Sequence, residues 1–105
     1  MDDNERYITD NVPEAEILTQ LAEEAAELAQ AALKLRRAMG DTHSPTPVTE
    51  NVARDRLLEE IADVSVCIRL LFPTGGKTLV ADLERTMGVK IDRWAHRLRG
   101  VEADG

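Results

Sequence analysis

The sequence is dominated by residues 13–39, PEAEILTQLAEEAAELAQAALKLRRAM, which contain no glycine and a single proline, at the first position. Proline is tolerated in the first turn of a helix, and the acids that follow it favour the positive end of the helix dipole. Apolar residues then recur at steps of four and three, and Gly40 is a typical C-terminal stop. We therefore predict one long helix that packs through a seam of Leu21, Ala25, Leu28, Ala32, Leu35 and Met39.

A second helix is predicted to begin between Thr49 and Ala53 and to end near Phe72, because Pro73 follows. Val66 and Leu70 lie on the side opposite to its main apolar face, so the helix is apolar on nearly all sides. In so short a chain, we expect the second side to meet another subunit. The main apolar face is predicted to consist of Leu57, Leu58, Ile61, Val64, Ser65, Ile68 and Phe72.

A third helix is predicted over residues 77–99, after a glycine-rich turn at 73–77. The remaining segments are predicted to be an arm or short helix at 1–12, a mobile loop with two prolines at 40–50, and a frayed tail at 100–105. The apolar stripe of the third helix is Leu79, Leu83, Met87, Ile91, Trp94 and Leu98.

The chain of 105 residues is predicted to be a single all-α domain with three main helices. A four-helix-type core would then be completed by oligomerisation. Its composition, 43% apolar and 31% charged, is that of a globular protein. The net charge of −7 argues against nucleic-acid binding, which requires a basic surface. With one cysteine, no secretory signal and no apolar run long enough for a membrane span, we expect a cytoplasmic protein without a membrane partner.

Two pairs of carboxylates stand at helical spacing, Glu24 with Glu27 and Glu60 with Asp63. Residues three apart on a helix lie on the same side, with Cβ atoms about 5–6 Å apart. Four carboxylates from two antiparallel helices would repel one another unless a cation lay between them. Hard divalent cations prefer oxygen ligands, so the pattern predicts a Mg²⁺ site.

The simpler interpretation of these acids is a solvated helix surface. Asp63 favours the metal site, because aspartate is a poor helix former and here stands between Ala62 and Val64. A carboxylate in such a setting needs a cationic partner. Arg56 or Arg69 in a plain salt bridge is the alternative to a metal ion.

Two other motifs are set aside. Residues 74–78, TGGKT, resemble the end of a phosphate-binding loop, but Leu71 replaces the required glycine and a helix replaces the preceding strand. Di-iron helical bundles need Glu-x-x-His ligands, and neither His43 nor His96 belongs to such a motif.

The segments 23–28, EEAAEL, and 58–64, LEEIADV, resemble the paired EExxE and ExxD motifs of MazG-like nucleotide pyrophosphohydrolases, an all-α family. Residues 13–20, PEAEILTQ, resemble the approach to the first motif in small phage-type members, and residues 90–98, KIDRWAHRL, resemble their closing basic helix. The resemblance covers about residues 14–38 and 51–98.

This resemblance implies hydrolysis of nucleoside triphosphates, NTP or dNTP, to monophosphate and pyrophosphate with Mg²⁺, for which Mn²⁺ often substitutes. It also implies a homodimer or homotetramer. Glu23 and Glu59 are secondary candidates for a ligand or a base. The 40–50 segment is long for the family, and the few aromatic residues do not indicate a base or sugar preference. By resemblance, the catalytic metal ligands are Glu24, Glu27, Glu60 and Asp63, and the phosphate-binding residues are Lys90 and Arg93.

Two alternatives to an enzyme remain open from the sequence. One is a non-catalytic helical dimerisation module whose acids are surface charges. The other is a module that binds nucleotides without cleaving them.

Overall fold

The computed structural model describes residues 2–40, 48–72 and 76–104. This part of the chain consists of four α-helices and contains no strand, which confirms the all-α prediction. The helices are α1 (Asp3–Asn11), α2 (Glu14–Ala38), α3 (Glu50–Leu71) and α4 (Gly76–Asp104). Helix α1 occupies the segment predicted to be an arm or a short helix.

The helix ends follow from local chemistry. Asp2 caps α1, where its carboxylate accepts a hydrogen bond of 2.7 Å from the Glu5 N–H, and Thr49 caps α3 by accepting from the Val52 N–H at 3.3 Å. Such caps satisfy N–H groups that have no partner within the helix. After α2, Gly40 adopts a φ of 84°, a left-handed conformation that side chains with a Cβ rarely adopt.

Helix α4 extends beyond its predicted end. It continues through Gly100 to Asp104, where a frayed tail was expected. One glycine costs a helix only about 1 kcal/mol relative to alanine, and no proline follows to end it. Most of the predicted loop, residues 41–47, and of the predicted turn, residues 73–75, lies outside the described residues.

The chain divides into two units, residues 1–73 and residues 74–105. In the first unit α2 packs along α3, and α1 contacts α3. Ala31 and Ala53 line one cleft together, whereas Ile17 and Cys67 line another. Because the later residue of α2 pairs with the earlier residue of α3, the two helices are antiparallel.

The packing face of α2 contains Leu21, Leu28 and Leu35 of the predicted seam and differs from that seam at the positions between them. Ile17, Ala31 and Leu35 are buried, with Glu24 half-buried among them. The predicted seam residues Ala25, Ala32 and Met39 are instead exposed. The predicted and the observed faces of α2 have the same residue spacing. The prediction favoured the face that contains no acid. The observed seam consists of Ile17, Leu21, Glu24, Leu28, Ala31, Leu35 and Ala38.

The buried face of α3 also differs from the predicted one. Ala53 and Cys67 are its buried residues, at 2% and 4% exposure. Leu58 and Phe72, which were predicted to belong to the core face, are more than half exposed. The prediction was therefore wrong in part: Leu57, Val64 and Ile68 are half-buried, but Ile61 and Ser65 are exposed. The observed face consists of Ala53, Leu57, Glu60, Val64, Cys67 and Leu71.

The second unit is the single helix α4. Its predicted apolar stripe is exposed over the described side chains, as shown by Leu83, Met87 and Trp94, each between 49% and 63% accessible. An apolar stripe of this kind normally packs against another surface. The exposed stripe of α4 therefore supports association with a second copy, which stays a prediction. Among the described helices, none combines the length and the hydropathy needed to cross a membrane.

Candidate metal centre

Three of the four predicted carboxylates meet between α2 and α3. One oxygen each of Glu24, Glu60 and Asp63 lies within 4.8 Å of the others. Glu24 and Glu60 are brought face to face because each occupies a position in the packing seam of its helix. Asp63 lies one turn after Glu60 and is more exposed.

Two oxygens in this group are buried and unpaired within the described ranges. Glu24 Oε2 and Glu60 Oε2 are inaccessible to solvent and accept no hydrogen bond from the described residues. The other oxygen of Glu24 accepts a hydrogen bond of 2.7 Å from the Gln20 side-chain amide. Leaving a charged oxygen desolvated and unpaired is costly. A cation between α2 and α3 would remove that cost.

The surroundings of Glu24 disfavour its negative charge. Desolvation is the main cause that raises the pKa of this carboxyl above its usual value, and the hydrogen bond from Gln20 opposes the shift. The neighbouring acids Glu27 and Asp63 raise the pKa further. The site is thus short of positive charge, which is the electrostatic condition for cation binding.

Glu27 lies near Glu24 but does not join all three converging acids. It is exposed and is absent from the group whose oxygens lie within 4.8 Å, although its charge influences Glu24. It lines a cleft beside Glu60. Of the two secondary candidates, Glu59 lines that same cleft, whereas Glu23 is exposed and does not line it.

The alternative of a plain salt bridge is contradicted. Arg69 pairs with Glu5 of α1 at 2.9 Å rather than with the acids of α3. Arg56 forms no ion pair with any residue in the described ranges 2–40, 48–72 and 76–104. The carboxylates of the group are therefore not neutralised by either arginine.

Two clefts of different character adjoin the carboxylates. The first, which we term the charged cleft, has a volume of about 450 Å³ and is lined by Glu27, Lys34, Arg56, Glu59 and Glu60 around Ala31 and Ala53. The second, the aliphatic cleft, has about 380 Å³. It lies between α1, α2 and α3 and is lined by aliphatic residues together with Glu16, Gln20, Glu24, Asp63 and Cys67.

Cys67 lies buried in the aliphatic cleft beside Glu24 and Asp63. Its burial raises the pKa of the thiol, and the two carboxylates raise it further. A thiol that stays protonated is a poor nucleophile and a poor metal ligand. This agrees with the interpretation of Cys67 as a small apolar packing residue.

The predicted phosphate-binding residues Lys90 and Arg93 belong to the second unit. Both lie on α4 and are exposed. Arg93, His96 and Arg99 line a shallow groove on this helix. Their contact with phosphate stays a prediction.

Sequence reasoning passed over Gln20 and Lys34, and it considered Arg56 only as a salt-bridge partner of the acids. Gln20 is one helical turn before Glu24, to which it donates a hydrogen bond. Lys34 follows Glu27 by two turns, and Arg56 precedes Glu60 by one turn, so both lie on the helix flanks that carry the acids. This helical spacing was the signal that could have placed Gln20 and Lys34 at the site.

No family model, no curated protein and no solved structure matches this chain. The resemblance to MazG-like proteins thus depends on the motif residues alone, and the function is argued from the geometry of the carboxylates.

Proposed function

We propose that this protein is a Mg²⁺-dependent nucleoside triphosphate pyrophosphohydrolase, which converts an NTP or dNTP to the monophosphate and pyrophosphate. One observation carries the proposal. Glu24, Glu60 and Asp63 converge from two helices, and two of their oxygens are buried without a hydrogen-bond partner among the residues that the structure describes. The motifs around these residues resemble those of MazG-like enzymes.

The donor set fits a hard divalent cation. Every candidate ligand is a carboxylate oxygen, which suits Mg²⁺ and Mn²⁺ better than soft metals. Magnesium is usually held by one or two carboxylates, while water and substrate phosphates complete its coordination. Three converging acids, with Glu27 as a fourth by resemblance, therefore leave room for a phosphate ligand.

The chain's own residues would position the reactants. Glu24 and Glu60 stand on packed seams, which restricts their movement, and Gln20 orients the Glu24 carboxylate. A bound cation would neutralise the triphosphate and lower the pKa of an attacking water. Lys90 and Arg93 remain the proposed contacts to phosphate by resemblance.

The direct test is pyrophosphate release from a panel of canonical and modified NTPs and dNTPs, with Mg²⁺ or Mn²⁺. We expect metal-dependent release that is lost in Asp63→Asn and retained in Asp55→Asn, a matched control that removes the same charge from an exposed position of the same helix outside the group. Equal activity of wild type and Asp63→Asn, or no release from any nucleotide, would overturn the proposal.

A second candidate is a non-catalytic helical dimerisation module. It is favoured by the large apolar side chains exposed on α3 and α4, among them Leu58 at 65% and Trp94 at 63%. Such a module would show self-association in sedimentation experiments without a change in melting temperature on addition of millimolar Mg²⁺ or Mn²⁺. A homodimer or homotetramer is compatible with both candidates.

A further inference from the structure

Two cations converge on the charged cleft without a partner in the described part of the chain. Lys34 comes from α2 and Arg56 from α3, and both line the cleft beside Glu60. Arg56 stands three and four residues before the acids Glu59 and Glu60 but pairs with neither. Arg54, on the same helix, forms the usual pair with Glu50 at 3.2 Å. Arg56 is therefore open to an external anion.

The lining of the aliphatic cleft contains no cationic residue that could bind an anion. Its charged lining residues are Glu16, Glu24 and Asp63, all of them acids. Apart from Glu24 and Asp63, which belong to the carboxylate group, this lining contains one further acid, Glu16, and no cation, so it offers a phosphate chain no positive charge. The charged cleft is the only one of the two that supplies positive charge.

We infer that Lys34 and Arg56 bind the phosphate groups of a polyphosphate chain whose inner end lies at the Glu24–Glu60–Asp63 group. The inference rests on the proposed function, to which it adds the direction of the ligand and two binding residues. A guanidinium forms bidentate hydrogen bonds with phosphate, and an ammonium acts as a point charge. The cleft volume of about 450 Å³ is within the usual range for small-molecule sites.

The balance of charges makes this binding depend on a divalent cation. Five carboxylates, those of the three converging residues together with Glu27 and Glu59, outweigh the two cations. A metal-free site is thus net negative and repels phosphate. A divalent cation at the carboxylates reduces this excess from three negative charges to one and is itself a ligand for phosphate, so that Lys34 and Arg56 then act together with it.

The test is calorimetric titration of inorganic tripolyphosphate into the full-length chain, in Mg²⁺ and in EDTA. We expect binding only in Mg²⁺. Each of Lys34→Ala and Arg56→Ala should weaken it by about tenfold, which is the effect of losing one charge-assisted hydrogen bond, and the double variant should bind more weakly still. Arg54→Ala, which removes an arginine outside the cleft, should bind as the wild type does.

The rise in melting temperature with Mg²⁺ should persist in every variant, because the carboxylates are intact, and this verifies that the variants fold. Wild-type affinity in the double variant, equal binding in EDTA, or no binding by the wild type would each overturn the inference. If the double variant binds normally while NTPs are still cleaved, the inference fails and the proposed function stands. If no NTP is cleaved but Mg²⁺-dependent binding is lost in the double variant, the inference stands and the proposed function fails.

Discussion

Replacing Glu60 by glutamine should change the stability of the protein in opposite directions without and with a divalent cation. The substitution keeps the size of the side chain and its place in the α3 seam, and removes one negative charge from the group. Without a cation, the change relieves repulsion. With a cation, it removes a ligand.

The size of the first effect follows from the geometry. Oxygens of Glu60 and Asp63 lie within 4.8 Å, where two unit charges repel by about 0.9 kcal/mol in a water-like dielectric and by about 3.5 kcal/mol at an effective dielectric constant of about 20. Since Asp63 is exposed, the lower figure applies. A gain of about 1 kcal/mol raises the melting temperature of a domain of this size by about 4 °C.

The second effect follows from linkage. A cation present at about a hundred times its dissociation constant stabilises the folded state by about 2.7 kcal/mol. The wild type should gain this stabilisation from Mg²⁺ and the variant should lose most of it. The order of melting temperatures therefore reverses between EDTA and Mg²⁺.

The assay is thermal unfolding followed by circular dichroism, in EDTA and across a Mg²⁺ titration, with Asp55→Asn as the control. Asp55 carries the same charge on the same helix but is exposed and lies outside the group, so its substitution should leave both curves within about 0.5 kcal/mol of the wild type. If Glu60→Gln is less stable than the wild type in EDTA, or responds equally to Mg²⁺, the reasoning about uncompensated charge is refuted.

Three further predictions concern pH, the core and α1. The surroundings of Glu24 raise its pKa above the usual 4.5, so protonation of this carboxyl favours the folded state. This stabilisation is greatest below pH 4.5 and is lost as the pH rises through the folded-state pKa. In EDTA the wild type should therefore lose stability relative to Glu24→Gln between about pH 4 and pH 7, and a constant difference would contradict this. Leu35→Ala should cost about 2–3 kcal/mol in urea unfolding, because Leu35 is buried, whereas the exposed Leu33→Ala should cost well under half as much; similar losses would show that the seam is misassigned. Arg69→Gln removes an ion pair whose arginine is exposed, worth about 0.2–1 kcal/mol, so amide exchange should accelerate in α1 and stay unchanged in the middle of α2.

The helices and the acids at the site could be predicted from local patterns. The alternation of steps of four and three located α2 and α3 to within about two residues, and proline and glycine marked their ends. The spacing of Glu60 and Asp63 put both acids on one flank, since three residues are close to one helical turn. These properties depend only on neighbours along the chain.

The packing register could not be predicted in this way. In α2, the face with Ala25 and Ala32 has the same residue spacing as the face with Glu24 and Ala31. The first face is the more apolar of the two, so apolarity alone favours its burial. The structure buries the second face, where the small residues Ala31 and Ala53 lie close to each other between the helices. Which face is buried depends on the partner helix. The absence of Glu27 from the group of three acids and the pairing of Arg69 with Glu5 likewise depend on contacts between helices.

The same distinction applies to the candidate site as a whole. The sequence itself contains carboxylates at helical spacing, and these residue types indicate a hard cation. The desolvation of Glu24 and Glu60, and the convergence of Lys34 and Arg56 on one cleft, arise only when two helices far apart in sequence pack together. Burial and electrostatic interaction act through space, so a pattern along one helix does not contain them.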